Sequence, residues 1–86
     1  MSSKNKQTEQ KRLRPLSTVK DGEKVKLARI DAGRGLNSRL ASMGLVPNVE
    51  ITVVSNRQRG PFMISVKNSK MMLGRGMAHK IMVREI

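Results

Sequence analysis

The residues best suited to chemistry are concentrated in the stretch MMLGRGMAHKIMV, residues 71–83, which holds the one histidine of the chain, His79. Thioether sulfur is a soft ligand that suits Cu(I), whereas Fe(II) prefers imidazole and carboxylate. No Asp or Glu stands at metal-ligand spacing from His79, and Glu85 is the nearest. The stretch therefore predicts apolar packing in a core poor in aromatic rings, with no metal and no cofactor. The methionines of the stretch are Met71, Met72, Met77 and Met82, and strand alternation predicts that Met63 and one of Met71 or Met72 point outward.

Catalytic side chains are scarce in the rest of the chain. It has no cysteine, one histidine and six acidic residues, and no nucleophile, base and orienting group occur together. The run Gly74-Arg75-Gly76 lacks the Lys-Ser or Lys-Thr pair and the following long helix of a nucleotide-binding loop. We therefore expect a protein that is not an enzyme. Fe(II) sensing by His79 with scattered carboxylates stays open as an alternative.

The charge balance is strongly basic, with 18 Lys and Arg residues against six acids and a net charge of +12. Such a charge suits nucleic acid, anionic lipid headgroups or an acidic protein partner. Proteins that hold single strands usually stack bases on aromatic rings, and Phe62 is the only aromatic residue here. A single-strand platform is therefore disfavoured. Binding to duplex phosphates by a small basic barrel remains an alternative function.

The chain divides near Pro15. No apolar residue occurs between Met1 and Leu13, so residues 1–14 predict a disordered basic tail, and residues 15–86 predict one small domain. No apolar run approaches the roughly 20 residues needed to cross a bilayer, and the N-terminal segment lacks the apolar part of a signal peptide. We therefore expect a cytoplasmic protein that the tail or a partner could bring to the inner face of the membrane.

Short alternating runs separated by turn residues predict about five strands. The run EKVKLARI slips in phase between Leu27 and Ala28, which indicates a bulge or bend. The runs at 49–54 and 62–66 alternate cleanly and predict neighbouring antiparallel strands joined by an exposed loop at 55–61. Residues 71–83 then predict a strand, a tight turn and a strand.

One segment has helical spacing instead. Leu36, Leu40 and Met43 fall at i, i+4 and i+7, so residues 35–48 predict a two-turn helix that packs these side chains on the sheet. Gly44 can end the helix in the left-handed conformation, and Pro47 prevents its continuation. The combination favours a small barrel with one mouth plugged by the helix and with closed sheet edges.

Over residues 16–84 the chain resembles the FeoA family of small cytoplasmic proteins associated with ferrous iron uptake. The resemblance is carried by LSTVKDGEKVKLARI, RLASMGLVPNVEITVV and GPFMISVKNSKMMLGRGMAHKIMV. Its most specific part is the string that joins the helix to the next strand, where Met43 replaces a usual Leu and Asn48 a usual Gly. Met77 stands where many relatives have an acidic residue, so a role of that charge does not carry over. The residues of the string are Arg39-Leu40, Met43-Gly44-Leu45 and Pro47.

The resemblance implies a mainly β fold, a small SH3-like β-barrel of about five strands with one short helix. It also implies docking on the cytoplasmic, GTP-binding region of FeoB, a membrane ferrous iron transporter. We expect the contact at the helix and the turn after it, where Leu45 and Val46 are apolar without any local pattern that buries them. A structural role for Arg39, binding loop carbonyls, is the alternative to a partner contact. The predicted partner-binding residues are Arg39, Met43, Leu45 and Val46, and the predicted structural turn residues are Gly44 and Pro47.

Overall fold

The fold is a six-stranded antiparallel sheet with two short helices, seen in a computed structural model that describes residues 13–57 and 59–86. The predicted basic tail falls almost wholly outside these residues. A 3₁₀ turn, Leu16–Thr18, follows the first strand. The other elements in chain order are β1 Arg14–Pro15, β2 Lys24–Ile30, α1 Arg34–Ser42, β3 Glu50–Asn56, β4 Phe62–Val66, β5 Ser69–Leu73, α2 Arg75–Lys80 and β6 Ile81–Glu85.

The strand order is β1-β6-β2-β3-β4-β5. The predicted pairing of the runs that form β3 and β4 is confirmed, with Val53 opposite Ile64 and Asn56 opposite Phe62. A two-residue turn joins β4 to β5, and both of its residues, Lys67 and Asn68, have positive φ angles of 51° and 68°, as in a type I′ hairpin turn. In the part of the chain that the structure describes, β1 and β5 are the two edge strands and do not pair with each other, so the expected closure of the sheet edges is wrong.

The phase slip in β2 is a bulge, as predicted. Leu27 lies opposite Val83 and Arg29 opposite Met82, so Ala28 is the extra residue. A second bulge in β3 places Val54 between two paired residues, Val53 and Ser55. Each bulge lets the strand keep its apolar side chains on one face while the sheet curves.

The core lies between the curved sheet, α1 and α2, and it is built mainly from alternating strand residues. The mainly β class expected from those alternations is confirmed. Leu40 is the one residue of α1 in this core, and Ala78 the one residue of α2. No helix among the described residues is long and apolar enough to cross a membrane. The buried apolar residues are Leu16, Val19, Val25, Leu27, Leu40, Leu45, Val49, Ile51, Val53, Phe62, Ile64, Val66, Leu73, Ala78, Ile81 and Val83.

The C-terminal stretch differs from the sequence expectation. Between β5 and β6 the chain forms the six-residue helix α2 instead of a tight turn. Ala78 is fully buried and Met77 packs against the core, while α2 lies against the 3₁₀ turn and β1. Tertiary packing therefore stabilises a helix that is too short and too rich in glycine to be stable alone.

Glu23 fastens the start of the domain to the sheet. Its carboxylate accepts hydrogen bonds from the backbone N–H of Lys20 at 2.8 Å and from Nη2 of Arg14 at 3.3 Å. The Lys20 hydrogen bond, helped by the charge of Arg14, outweighs slight desolvation and lowers the pKa of Glu23 below its usual 4.5. Arg14 lies in β1, so the sheet begins one residue before the domain boundary expected at Pro15.

Glu23→Gln is expected to lower the urea midpoint at neutral pH and to leave it unchanged in acid. Because folding lowers the pKa, the carboxylate contributes stability above its unfolded pKa, and that contribution is lost as the pH falls through the folded pKa. Urea unfolding of both proteins from pH 7 into acid should give midpoints that converge as the pH falls. A constant difference over the whole range would contradict this role for Glu23.

Candidate functional site

Helix α1 begins at Arg34, with Gly33 in an extended conformation as its N-cap. No side chain caps the free N–H groups. Asn37 instead donates from Nδ2 to the carbonyls of Ala32 and Gly33, at 2.6 and 3.1 Å. These bonds tie the first turn of the helix to the chain entering it, so Asn37 fixes the direction of α1 rather than starting it as a cap.

The helix ends in a Schellman motif centred on Gly44, whose φ is 97°. The N–H of Gly44 donates to the carbonyl of Ala41 at 2.9 Å, and the N–H of Leu45 donates to that of Leu40 at 2.9 Å. The left-handed conformation predicted for Gly44 is confirmed. Because glycine adopts it without a steric penalty, the chain reverses sharply at this position.

Leu45 lies beneath this turn and not on its surface. Its side chain is 1% exposed and belongs to the same core cluster as Leu40. The expectation of an exposed Leu45 is therefore wrong, and the motif supplies the reason. The residue after the left-handed glycine commonly packs against the last turn of the helix, which closes the end of the helix over the core.

The chain then makes a second tight turn, from Val46 to Val49. The N–H of Val49 donates to the carbonyl of Val46 at 3.1 Å, and Pro47 and Asn48 occupy the central positions, Asn48 with a φ of 73°. This arrangement matches a type II turn, which favours Pro first and a residue tolerant of positive φ second. Asn48 also donates from its N–H to the carbonyl of Leu27 at 2.7 Å, which attaches the turn to β2.

Three predicted site residues do reach the surface around this turn: Arg39, Met43 and Val46, named here the helix–turn surface. Met43 is 48% exposed and Val46 36% exposed, and Arg39 is also exposed. Met43 was predicted to pack on the sheet, and that is wrong. The helix ends at Ser42, so Met43 is the C-cap and its side chain leaves the helical face.

Arg39 does not play the structural role considered as the alternative. Its backbone carbonyl accepts a bond from Ser42 Oγ at 2.7 Å. Over residues 13–57 and 59–86, however, its guanidinium forms no hydrogen bond to a loop carbonyl and no ion pair. Its charge is therefore free to meet a partner beside two exposed apolar side chains.

A groove of about 280 Å³ runs along the other side of α1, between the helix, β2 and the turn. Pro47 and Leu45 connect it to the helix–turn surface. Its wall is largely apolar, which suits an apolar side chain of a partner. The lining residues are Leu27, Arg29, Ile30, Asn37, Ser38, Ala41, Leu45 and Pro47.

The methionine-rich stretch, residues 71–83, is divided among β5, α2 and β6. Met71 and Met77 pack against the core, while Met72 is 66% exposed. His79 is exposed near the end of α2, where its Nδ1 lies 3.5 Å from Ser17 Oγ. Within the described part of the chain, no three His, Cys, Asp or Glu side chains come together as metal ligands.

A polar cluster around Asn56 was not anticipated from the sequence. Asn56 donates from Nδ2 to the carbonyls of Ser17 and Val19, at 3.0 and 2.7 Å, and accepts a bond from Arg75 Nη1 at 2.8 Å. The guanidinium of Arg75 lies 5.9 Å from the centre of the Phe62 ring. Arg75, which lies between Gly74 and Gly76, therefore makes structural contacts within the protein.

The chain matches the FeoA domain family over residues 14–85. A Methanocaldococcus jannaschii protein whose name proposes it as Fe(2+) transport protein A is 46% identical over 71 residues, covering 83% of this chain and 85% of the relative. These matches include every residue of the helix–turn surface.

Solved structures share the fold. A crystal structure of an iron uptake regulatory protein, FeoA, superposes with a TM-score of 0.79 and 35% identity, over 86% of this chain and 99% of that one. A manganese-dependent transcriptional repressor superposes with a TM-score of 0.76 and 26% identity, over 86% of this chain and 42% of the repressor. The SH3-like fold expected from the resemblance is confirmed by these neighbours.

Proposed function

Because the chain belongs to the FeoA family, we propose that it is a non-enzymatic accessory protein of ferrous iron transport that docks on the cytoplasmic, GTP-binding region of FeoB. Support comes from two relatives, one named for Fe(2+) transport and one for regulation of iron uptake. On this proposal the protein works in the cytoplasm, at the inner face of the membrane that holds the transporter.

The observation that carries the docking site is the exposure of Met43 and Val46 on a rigid turn. The backbone around them is held by the Schellman motif and by the bond from Asn48 to Leu27. A surface that is ordered before binding loses little conformational entropy when a partner arrives. Exposed apolar side chains on such a turn therefore favour a protein contact.

Arg39 adds charge and direction to this surface. Arginine and methionine are both enriched in protein interfaces. Arg39 lies in the last turn of α1 and Met43 is its C-cap, and both are exposed, so one partner element can contact both. We propose that Arg39 meets a carboxylate or carbonyl of the transporter while Met43 and Val46 fill an apolar pocket.

Leu45 contributes to the site from below. Because its side chain is buried, it sets the position of the turn and makes no contact with the partner. This division separates binding from stability, since the surface residues can be changed without opening the core.

The double variant Met43→Glu/Val46→Glu is expected to bind the purified GTP-binding region of FeoB at least tenfold more weakly, a loss of about 1.4 kcal/mol or more. The reason is that two carboxylates would enter an apolar contact. Isothermal titration calorimetry gives the dissociation constant, and circular dichroism checks that the variant is folded.

A matched control changes the same residue types elsewhere. Met72 and Val54 are also exposed, at 66% and 37%, on the sheet. Met72→Glu/Val54→Glu should bind like the unmodified protein. Equal affinity of all three proteins would show that the helix–turn surface is not the docking site.

A further inference from the structure

The face of the sheet that points away from the core has two chemically different halves. Strand pairing aligns its residues in rows, since residues directly opposite each other in an antiparallel pair point to the same side. One row is Arg84, Lys26 and Glu50, and the next is Lys24, Thr52, Ser65 and Lys70. A third row pairs Met63 with Met72, next to the bulge at Val54. We call these residues, with Lys67 of the β4–β5 turn, the outer sheet face.

The first half is cationic. It carries five basic residues, Lys24, Lys26, Lys67, Lys70 and Arg84, against the single carboxylate of Glu50. Among the described residues, only Lys24 is paired with an acid, at 3.9 Å from Glu50, and both side chains are more than half exposed. Because this ion pair is exposed to solvent, it is weak. The cationic half of the outer sheet face therefore keeps a net positive charge.

A shallow depression of about 470 Å³ lies within this half. Its lining includes two lysines, Lys24 and Lys67, and two hydroxyl-bearing residues, Thr52 and Ser65. The one acid in the lining is Glu50, whose carboxylate lies 3.9 Å from Lys24 Nζ. Ammonium groups beside hydroxyl donors can bind a phosphate or carboxylate group.

The second half is apolar. Met72 is 66% exposed and Val54 37% exposed, and Met63 is half-buried between them. The bulge in β3 sets Val54 and Ser55 together opposite Met63, which keeps Val54 on the surface instead of in the core. Flexible methionine side chains adapt to irregular apolar surroundings.

From this juxtaposition we propose that the outer sheet face binds an anionic membrane surface, with its lysines on the lipid headgroups and with Val54, Met63 and Met72 in the interfacial region. A basic surface continuous with exposed apolar side chains is the combination that favours interfacial binding. A nucleic acid would use the cations but not the methionine row, and Phe62, the one Phe, Tyr or Trp of the chain, is buried. The face shares no residue with the helix–turn surface, although Arg84 donates from Nη2 to Asn48 Oδ1 in the turn at 2.7 Å.

The test is co-sedimentation of the full chain with vesicles of phosphatidylcholine alone and with about 30% phosphatidylserine, at about 0.1 M salt. We expect binding to the anionic vesicles only. Because each lysine near an anionic surface contributes about fivefold to binding, Lys67→Gln/Lys70→Gln should bind about 25-fold more weakly. The control Arg34→Gln/Lys80→Gln removes the same charge from the exposed surface of other elements and should change binding less than about threefold.

The basic tail is identical in both variants, so their difference reports the sheet face alone. Met72→Ser should also weaken binding several-fold, with an unchanged dependence on salt, because it removes apolar contact and no charge.

Equal losses in the two double variants, or no binding to anionic vesicles, would overturn the proposal. Displacement of the vesicles by a DNA duplex that itself loses affinity for Lys67→Gln/Lys70→Gln would assign the face to nucleic acid and overturn it too. Since FeoB is absent from these experiments, none of these outcomes depends on docking to it.

Discussion

Replacing Leu45 with alanine is expected to lower the free energy of unfolding by about 3 kcal/mol, whereas Val46→Ala lowers it by less than about 0.5 kcal/mol. The two residues are neighbours with similar side chains, but Leu45 is 1% exposed and Val46 is 36% exposed. Truncation of Leu45 leaves a cavity beneath the Schellman motif, and truncation of Val46 leaves none. Urea unfolding followed by circular dichroism measures both values.

The comparison of the two variants tests whether Leu45 holds the end of α1 against the core. A loss near 3 kcal/mol is a large fraction of the stability of a small domain, which is roughly 5–15 kcal/mol. The folded fraction of Leu45→Ala should still bind its partner, since the exposed side chains are unchanged. Equal stability of the two variants would show that Leu45 is not part of the core and that the helix end is held in another way.

Asn56→Ala is expected to lower the free energy of unfolding by about 3 kcal/mol as well, since each buried polar group left without a partner costs about 1–3 kcal/mol. The substitution removes both donors to the Ser17 and Val19 carbonyls and the acceptor of Arg75. Arg75 already has one buried nitrogen, Nη2, without a partner among the described residues. Removing the Asn56 side chain would also take away the acceptor of Nη1 of this half-buried guanidinium, which lies beside Phe62.

The control for this prediction is Ser55→Ala. Ser55 is half-buried next to Asn56 in β3, and its hydroxyl forms no hydrogen bond within the described residues. Its loss should cost less than about 0.5 kcal/mol. Urea unfolding monitored by circular dichroism compares the two variants. If Asn56→Ala unfolds at the same urea concentration as Ser55→Ala, the cluster does not hold the 3₁₀ turn, β3 and α2 together.

Much of the sheet could be predicted because its signal is local. In β4, Phe62, Ile64 and Val66 alternate with exposed or half-exposed residues, and all three are buried. The bulge at Ala28 also leaves a local mark, since the apolar positions change phase there. Alternation is a property of the strand itself, so no knowledge of the neighbouring strands was required.

Other features depend on contacts between distant segments and could not be predicted in this way. Asn56 binds carbonyls at Ser17 and Val19, more than 35 residues earlier in the chain. Helix α2 is stable because it packs on the 3₁₀ turn and β1, while Gly76 within it and Gly74 just before it favour a turn when read locally. Composition around these residues carries no sign of the partner segment.

In the predicted docking region, two of the side chains lie on the other side of the surface from where the sequence placed them. The spacing of Leu36, Leu40 and Met43 predicted one buried face, but the helix stops at Ser42 and Met43 turns outward. Leu45 shows the opposite difference, because it was predicted to lie on the surface and is buried in the core. Both differences come from the position of the helix end, where a shift of a single residue changes which side chains are buried. Gly44 was the available signal, since its place in a Schellman motif predicts burial of the next apolar residue.

The fold alone does not decide the partner, because part of a manganese-dependent transcriptional repressor has the same fold. Docking on FeoB therefore has to be tested at the helix–turn surface itself. Amide NMR spectra of the labelled full chain, titrated with the soluble GTP-binding region of FeoB at near-physiological salt, locate the contact. The proposed docking predicts shifts concentrated in residues 39–48, with Met63 and Met72 on the outer sheet face unchanged. Shifts centred on the outer sheet face, or no shifts at saturating partner, would contradict it.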